Sequence, residues 1–257
     1  MNPRHQTTGE GPAAAGSRSE ARAPEGSRVY AVGDIHGRAD LLARLHRQII
    51  EDAGDDAGLR RVVVYLGDYV DRGPQSFEVV EMLIREPLPG FERHHLKGNH
   101  EDFLVRFLET GEMGQIWMIN GGNRTLASYG VDVWDMLSDF GALETARCKF
   151  RDALPESHRR FFAGLKLHHG EGDYLFVHAG LRPGRTLEEQ SAHDMMWIRE
   201  EFLNSDADFG QVVVHGHSIS WEPEVRPNRI GIDTGAYRSS TLTALVLEGD
   251  ERRFLET

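Results

Sequence analysis

Gly67-Asp68-Tyr69-Val70-Asp71-Arg72-Gly73 follows directly on Arg61-Val62-Val63-Val64-Tyr65-Leu66, a short apolar run rich in β-branched residues. The run reads as a buried strand. Pro74 then suits the first turn of a helix, and residues 75–86 carry helical spacing. Two aspartates and an arginine therefore sit in a strand-to-helix turn. Asp-Arg-Gly alone is ordinary turn chemistry. Other apolar runs of the chain end in the same manner, and that decides the reading.

Val29-Tyr30-Ala31-Val32 leads into Gly33-Asp34-Ile35-His36-Gly37. Arg93-His94-His95-Leu96-Lys97 leads into Gly98-Asn99-His100-Glu101. Tyr174-Leu175-Phe176-Val177 leads into His178-Ala179-Gly180, and Gln211-Val212-Val213-Val214 into His215-Gly216-His217-Ser218. Each run breaks at a metal-ligand or acid–base residue beside a glycine. Open α/β sheets bind ligands at the carboxyl ends of their strands. Side by side, these ends gather Asp34, His36, Asp68, Asn99, His178 and His217 in one place.

The 257 residues suffice for one large domain or two small ones. Apolar residues make up 39% of the chain, enough to supply a core, and the mean hydropathy of −0.46 fits a soluble protein. No apolar stretch approaches the ~20 residues of a membrane span, and no apolar run suits a signal peptide. The lone Cys148 excludes an internal disulfide and a thiolate zinc cluster, so a metal here takes O and N ligands. In its helical pattern Cys148 reads as a small semi-buried residue. The formal charge of 29 − 41 = −12 argues against a nucleic-acid backbone as partner and suits a cytoplasmic enzyme. Such a protein must neutralise an anionic substrate locally, which metal ions and a few arginines can do.

Residues 1–27, rich in Ala, Gly, Ser, Pro and Arg without a hydrophobic period, read as a disordered tail. An ordered domain then spans residues 28–257. Strands are expected at 29–32, 62–66 and 94–97, with helices at 40–52 and 77–84. Leu41, Leu42, Leu45, Ile49 and Ile50 form the apolar face of the first helix. The alternation indicates an α/β core. Strand signals vanish over residues 101–164, which read as a helical insertion over one end of the sheet, with a glycine-broken junction at residues 117–123. Residues 165–169 and 174–177 then read as a hairpin around Gly170-Glu171-Gly172-Asp173, and residues 188–204 as mostly helical. Strands follow at 212–214, 229–232 and 241–247. Two mixed sheets packed face to face, with helices outside, accommodate this order.

Carboxylates, imidazoles and one amide oxygen suit Mn, Fe or Zn better than Mg or Ca. One carboxylate can bridge two ions ~3.5–4 Å apart, the spacing of two-metal hydrolytic sites. Asp68, at the end of the central strand, is the candidate bridge. Such a pair acidifies a shared water and polarises phosphoryl oxygens. Arg72, just past the strand, offers a planar fork to an anionic phosphoryl group. Arg199 offers a second clamp, with a helix-surface salt bridge as its alternative. His100, beside Asn99, is placed to protonate the leaving oxygen, with Asp71 to hold its imidazole. Glu101 reads either as an outer support of the site or as the first acidic residue of the next helix. Among the 13 histidines, His5, His46, His94, His95, His158, His168, His169 and His193 lack the strand-end glycine. His215 turns the same way as His217 and stays outside the metal set.

In order, the Gly33–Gly37, Gly67–Gly73 and Gly98–Glu101 stretches quoted above resemble the three signature motifs of the PPP-type (phosphoprotein phosphatase) calcineurin-like metallophosphoesterases. His178-Ala179-Gly180 and Gly216-His217-Ser218 resemble the later histidine motifs of that family, and the length is similar to its small bacterial and phage members. The resemblance covers most of residues 28–248. It implies a β-sandwich flanked by helices and two divalent metals, often Mn, with Fe or Zn as alternatives. Asp34, His36 and Asp68 would hold one metal. Asp68, Asn99, His178 and His217 would hold the other. His100 with Asp71 would be the acid pair, with Arg72, Arg199 and Asn99 meeting the substrate. The long C-terminal region of the eukaryotic protein phosphatases is missing, so their toxin sensitivity and regulatory subunits do not carry over.

The expected activity is hydrolysis of phosphomonoesters by direct attack of a hydroxide shared between the metals. The expected substrates are phosphorylated proteins, at Ser and Thr, with Tyr as a further candidate, and no nucleic-acid or membrane partner is expected. The alternative enzyme is a diadenosine tetraphosphatase, which would share the metal centre and differ in the helical insertion around residues 117–123 and Trp134. A non-catalytic scaffold is the remaining class. It should have lost ligands or the acid, yet Asp34, His36, Asp68, Asn99, His100 and Arg72 are all present.

Overall fold

The structure is a computed structural model that describes residues 21–55, 58–85, 88–132 and 140–257. Residues 1–20 of the stretch read as a tail, Glu86 and Trp134 lie outside the described residues. Where the description begins, Ala23 is buried and its N–H donates to the Gly249 carbonyl.

Among the described residues, ten strands form two five-stranded sheets. They are β1 (Ser27–Val32), β2 (Arg60–Tyr65), β3 (Glu92–His95), β4 (His168–Glu171), β5 (Tyr174–Val177), β6 (Val212–His215), β7 (Glu224–Val225), β8 (Arg229–Gly231), β9 (Thr243–Glu248) and β10 (Glu251–Glu256). The first sheet runs β10-β9-β1-β2-β3 and the second β4-β5-β6-β8-β7. Helices α1 (Ala39–Ala53) and α2 (Ser76–Ile84) cross over between β1, β2 and β3. Then come α3 (Asn99–Thr110), α4 (Gly114–Trp117), a π-turn over Met118–Gly122, α5 (Asn123–Ser128), α6 (Phe140–Ala153) and α7 (Glu156–Ala163). The second half adds α8 (Ala192–Trp197), α9 (Glu200–Leu203) and α10 (Ala236–Ser239). Among the described residues no helix is long and apolar enough to cross a membrane.

Period-two alternation explains why the strand runs are apolar throughout. Val29, Ala31, Val62 and Val64 point between the sheets and meet Tyr174, Phe176, Val212, Val214 and Ile230. Tyr30, Val32, Val63 and Tyr65 point the other way, onto Leu41, Leu42 and Leu45 of α1 and Val79, Val80 and Leu83 of α2. The outer face of the second sheet, Leu175, Val177 and Val213, is covered by Met195, Ile198 and Phe202. Both faces of the central strands are therefore buried, which leaves their ends as the place for polar chemistry.

Several elements differ from the sequence reading. Ile50 is 45% exposed and is not part of the buried face of α1. The third strand sits two residues earlier than expected, and beyond it Leu96 makes a single parallel bridge to Lys166. Strand β4 runs through Gly170 and Glu171, because Gly172 with φ 59° takes the turn. Residues 188–204 are not one helix. Ile198 (ψ 142°) and Arg199 (φ −130°) break it between α8 and α9. Strand β10 carries no apolar run. Its Arg253 pairs with Asp52 and its Arg252 donates to the Tyr174 hydroxyl, so side-chain hydrogen bonds anchor this edge.

Candidate metal centre

Strands β1, β2 and β3 are mutually parallel, as are β5, β6 and β8. Their carboxyl ends carry Asp34, Asp68, Asn99, His178, His217 and Asp233. The two sets meet across the sandwich. The His178 Nδ1–H donates to the Leu66 carbonyl at 2.9 Å, and the His217 backbone N–H to the Asp34 carboxylate at 3.0 Å. A Cβ on Gly98 would lie 2.1 Å from Asp68 Oδ1, and one on Gly216 2.1 Å from Asp34 Oδ1. That is the physical reason for a glycine beside these strand-end residues.

Asp68 is the centre of the arrangement. Its Oδ2 lies 3.5 Å from His36 Nε2 and its Oδ1 3.4 Å from His178 Nε2. The two oxygens thus face two groups of possible ligands, His36 with His100 on one side and His178 with His217 on the other. Asn99 Oδ1 lies 3.0 Å from His178 Nε2, on the second side. Asp34 sits beside His217 and close to Asp233. Among the described residues, non-glycine positive φ occurs at His36 (46°), Asp68 (50°), Asp71 (73°), Arg72 (65°) and His217 (62°), and elsewhere only at Met113 and Ser240. Left-handed backbone costs on the order of 1–3 kcal/mol each. Its concentration here says that the surrounding packing imposes this geometry.

The donor set fits divalent cations. His36 Nδ1–H donates to the Val70 carbonyl at 2.9 Å, and His178 is tied in the same way to Leu66, so both present Nε2 inward. His217 Nε2 is buried with no partner. Burial holds His36, His178 and His217 below the usual imidazole range, in the neutral form that ligates. Asp34 is pushed up by burial and then by the charges of Asp233 and Asp68. A bound cation would offset this crowding of carboxylates.

Beside the ligand cluster, His100 Nδ1–H donates to Asp71 Oδ2 at 2.6 Å, and Asp71 is fully buried. Burial lowers the His100 pKa, but Asp68 and Asp71 more than offset it and hold it above the usual value. Arg72 Nη2 lies 3.1 Å from His100 Nε2, so the guanidinium and the inward imidazole nitrogen share one spot. Arg199 is exposed and reaches the site from the α8–α9 break, where its Nη1–H donates to the His217 carbonyl at 3.2 Å. His215 faces away, with its ring 5.1 Å from Phe202 and its Nε2 accepting from Arg229.

The structure decides between the two readings of Glu101. Fully buried, its carboxylate accepts from the backbone N–H groups of Asp68 (2.9 Å), Tyr69 (2.8 Å) and Gly98 (3.0 Å). It therefore fixes the Gly67–Gly73 turn. Two residues near the centre were missed. Asp233 lies just past β8 in Ile232-Asp233-Thr234-Gly235, the same strand-end pattern that singled out the others. Tyr237 carries no such signal. Its ring lies 5.3 Å from that of His36 and 4.8 Å beneath the Arg72 guanidinium.

A sandwich whose strand ends converge on carboxylates and imidazoles defines a metal-dependent hydrolase. The chain belongs to the calcineurin-like phosphoesterase family, whose model matches residues 27–239. Members of this metallophosphoesterase family use a dimetal centre, and the His and Asp residues described above are positioned for metal binding. The chain is 36% identical over 96 residues to serine/threonine-protein phosphatase 2 of Escherichia coli, a match that spans 37% of this chain and 38% of that protein. It is 24% identical over 248 residues to the asymmetrical bis(5'-nucleosyl)-tetraphosphatase PrpE of Oceanobacillus iheyensis, covering 84% of this chain and 87% of that one. Serine/threonine-protein phosphatase 1 of Salmonella typhimurium is 25% identical over 68% of this chain and 70% of its own length. Among solved structures, the cold-active protein-tyrosine phosphatase of a Shewanella species superposes with a TM-score of 0.55 at 16% identity, covering 98% of this chain and 89% of that one. That likeness shows the fold.

Proposed function

We propose that this phosphatase hydrolyses phosphomonoesters on serine and threonine side chains of proteins, using two divalent ions, most suitably Mn. The observation that carries the reading is the buried Asp71–His100 pair beside Asp68. An alkoxide leaving from phosphoserine is strongly basic and needs a proton as the P–O bond breaks. A nucleotide phosphate leaving from an anhydride needs it far less. A well-held proton donor therefore favours the ester.

In this reading Asp34, His36 and Asp68 would hold one ion, and Asp68, Asn99, His178 and His217 the other. Divalent ions bound there would supply Lewis acidity toward the phosphoryl oxygens and lower the pKa of a water. Asp71 holds the His100 imidazole by Nδ1, which leaves Nε2 to pass its proton to the departing oxygen. Arg72 and Arg199 fork onto the phosphate, and Asn99 lies beside it. Metal removal should abolish turnover, and Mn should restore it better than Ca, because the donors are oxygen and imidazole nitrogen. Full turnover in excess chelator, after verified metal loss, would defeat this.

Arg72→Ala removes a cation from the phosphate and none from the metals. A charge-assisted hydrogen bond contributes ~1.5–3 kcal/mol, so kcat/KM should fall roughly 10- to 100-fold while metal content stays near wild type. Normal kinetics would leave Arg72 a turn residue.

A second reading, hydrolysis of dinucleoside tetraphosphates, has its own support. The PrpE match covers far more of both chains than the Escherichia coli match does. Trp221, 74% exposed, lies 5.8 Å beneath Arg238, and Arg238 is adjacent in the chain to Tyr237 at the site. An aromatic face with a cation beside it is what a nucleobase next to a phosphate chain requires. The test is kcat/KM on a phosphoserine peptide against diadenosine tetraphosphate with Mn. Faster turnover of the peptide supports the first reading, and faster turnover of the dinucleotide replaces it with the second.

A further inference from the structure

The Asp71 carboxylate has more partners than His100. Trp117 Nε1–H donates to Asp71 Oδ2 at 2.8 Å, the oxygen that also holds His100. Thr125 Oγ1–H donates to Asp71 Oδ1 at 2.5 Å and accepts the Asp71 backbone N–H at 2.9 Å. Trp117 ends α4 and Thr125 lies in α5, so both come from one helical arm. The π-turn between them gives it an irregular bend of the kind often found at functional sites.

The arm is built to sit there. Trp117 is fully buried, with its ring 5.0 Å from Phe107 and 5.9 Å from Phe150. A Cβ on Gly122 would lie 2.5 Å from the Trp117 ring. Gly121 has φ 103°, and a Cβ there would lie 2.5 Å from the Arg72 backbone nitrogen. The Gly121-Gly122 pair thus lets the arm lie on the Asp71–Arg72 turn and seats the indole at once.

A carboxylate rotates readily about its last bond, because that torsion has only broad wells. One hydrogen bond to an imidazole would leave Asp71 free to turn. Donors on both oxygens fix its plane, and they also solvate a carboxylate that no water reaches. We propose that Trp117 and Thr125 are positioning residues. They hold Asp71 so that His100 is gripped by Nδ1 and aims Nε2 at the leaving oxygen. The helical arm thereby sets the efficiency of proton delivery. The inference rests on His100 being the proton donor.

The test uses the Mn-loaded full chain with phenyl phosphate and p-nitrophenyl phosphate, which differ only in the basicity of the leaving phenolate. Trp117→Phe keeps ring packing and loses the N–H. Thr125→Val keeps shape and loses the hydroxyl, and Thr125→Ser keeps the hydroxyl. Trp117→Phe and Thr125→Val should lower kcat on phenyl phosphate by about 10-fold and on p-nitrophenyl phosphate by less than about 2-fold. KM and metal content should not change, and Thr125→Ser should restore most of the loss. His100→Asn, measured alongside, should show a larger selective loss. If His100→Asn is selective but the arm variants slow both substrates equally, or neither, the positioning role is wrong and the donor reading stands. If His100→Asn is itself unselective, both fail. Should Trp117→Phe not fold, the Thr125→Val and Thr125→Ser pair decides by the same criteria.

Discussion

Asp68→Asn is expected to empty both halves of the metal centre and to lower kcat/KM by at least about 10³-fold, beyond the ~10–100-fold that an outer partner of a metal ligand is worth. The reason lies in its two oxygens. One faces His36 at 3.5 Å and the other faces His178 at 3.4 Å, so a single carboxylate serves both sides. An amide puts an NH2 in place of one oxygen and loses the charge, so one side loses its donor and the other keeps only a neutral, weaker one. The check is metal content after Mn loading and dialysis, beside a thermal melt, since Asp68 also accepts the His100 backbone N–H. A folded variant that loses one equivalent of metal and keeps the other would put the bridge elsewhere.

His100→Asn should cost a phosphoserine peptide ~10²–10⁴-fold in kcat, the usual worth of general acid catalysis, with a far smaller loss on p-nitrophenyl phosphate. A nitrophenolate is a weak base and leaves without help, whereas a serine alkoxide does not. Asp71→Asn should give the same pattern more weakly, because Asp71 acts through the 2.6 Å bond to His100 Nδ1. Equal slowing of both substrates with full metal occupancy would contradict the donor role. His100 would then position the phosphate, beside Arg72.

The fold was legible because each central strand is buried on both faces and so reads as an unbroken apolar run, as in Val62-Val63-Val64. The elements that were missed or misplaced are stabilised from elsewhere. Strand β10, with sequence ERRFLE, is held by Asp52 and Tyr174, far away in the chain. The break at Ile198–Arg199 follows from where Arg199 has to reach, the His217 carbonyl, which local helical spacing cannot encode.

The candidate site divides in the same way. Asp34, Asp68, Asn99, His178 and His217 stand where a strand stops beside a glycine, a local pattern. Asp233 obeys that rule and could have been read from Ile232-Asp233-Thr234-Gly235. Trp117 and Thr125 could not, because they meet Asp71 across 46 and 54 residues of chain. Glu101 looked equally like helix-start charge. Only the four backbone N–H groups converging on it, from Asp68, Tyr69, Val70 and Gly98, separate the two roles.

The most direct measurement is anomalous diffraction from crystals of the chain loaded with Mn. Two peaks ~3.5–4 Å apart are expected, the spacing of two-metal hydrolytic centres, with Asp68 between them. One should lie on the side of Asp34 and His36, and the other on the side of Asn99, His178 and His217. A single peak, or two peaks that do not share Asp68, would contradict the dimetal centre proposed for this chain.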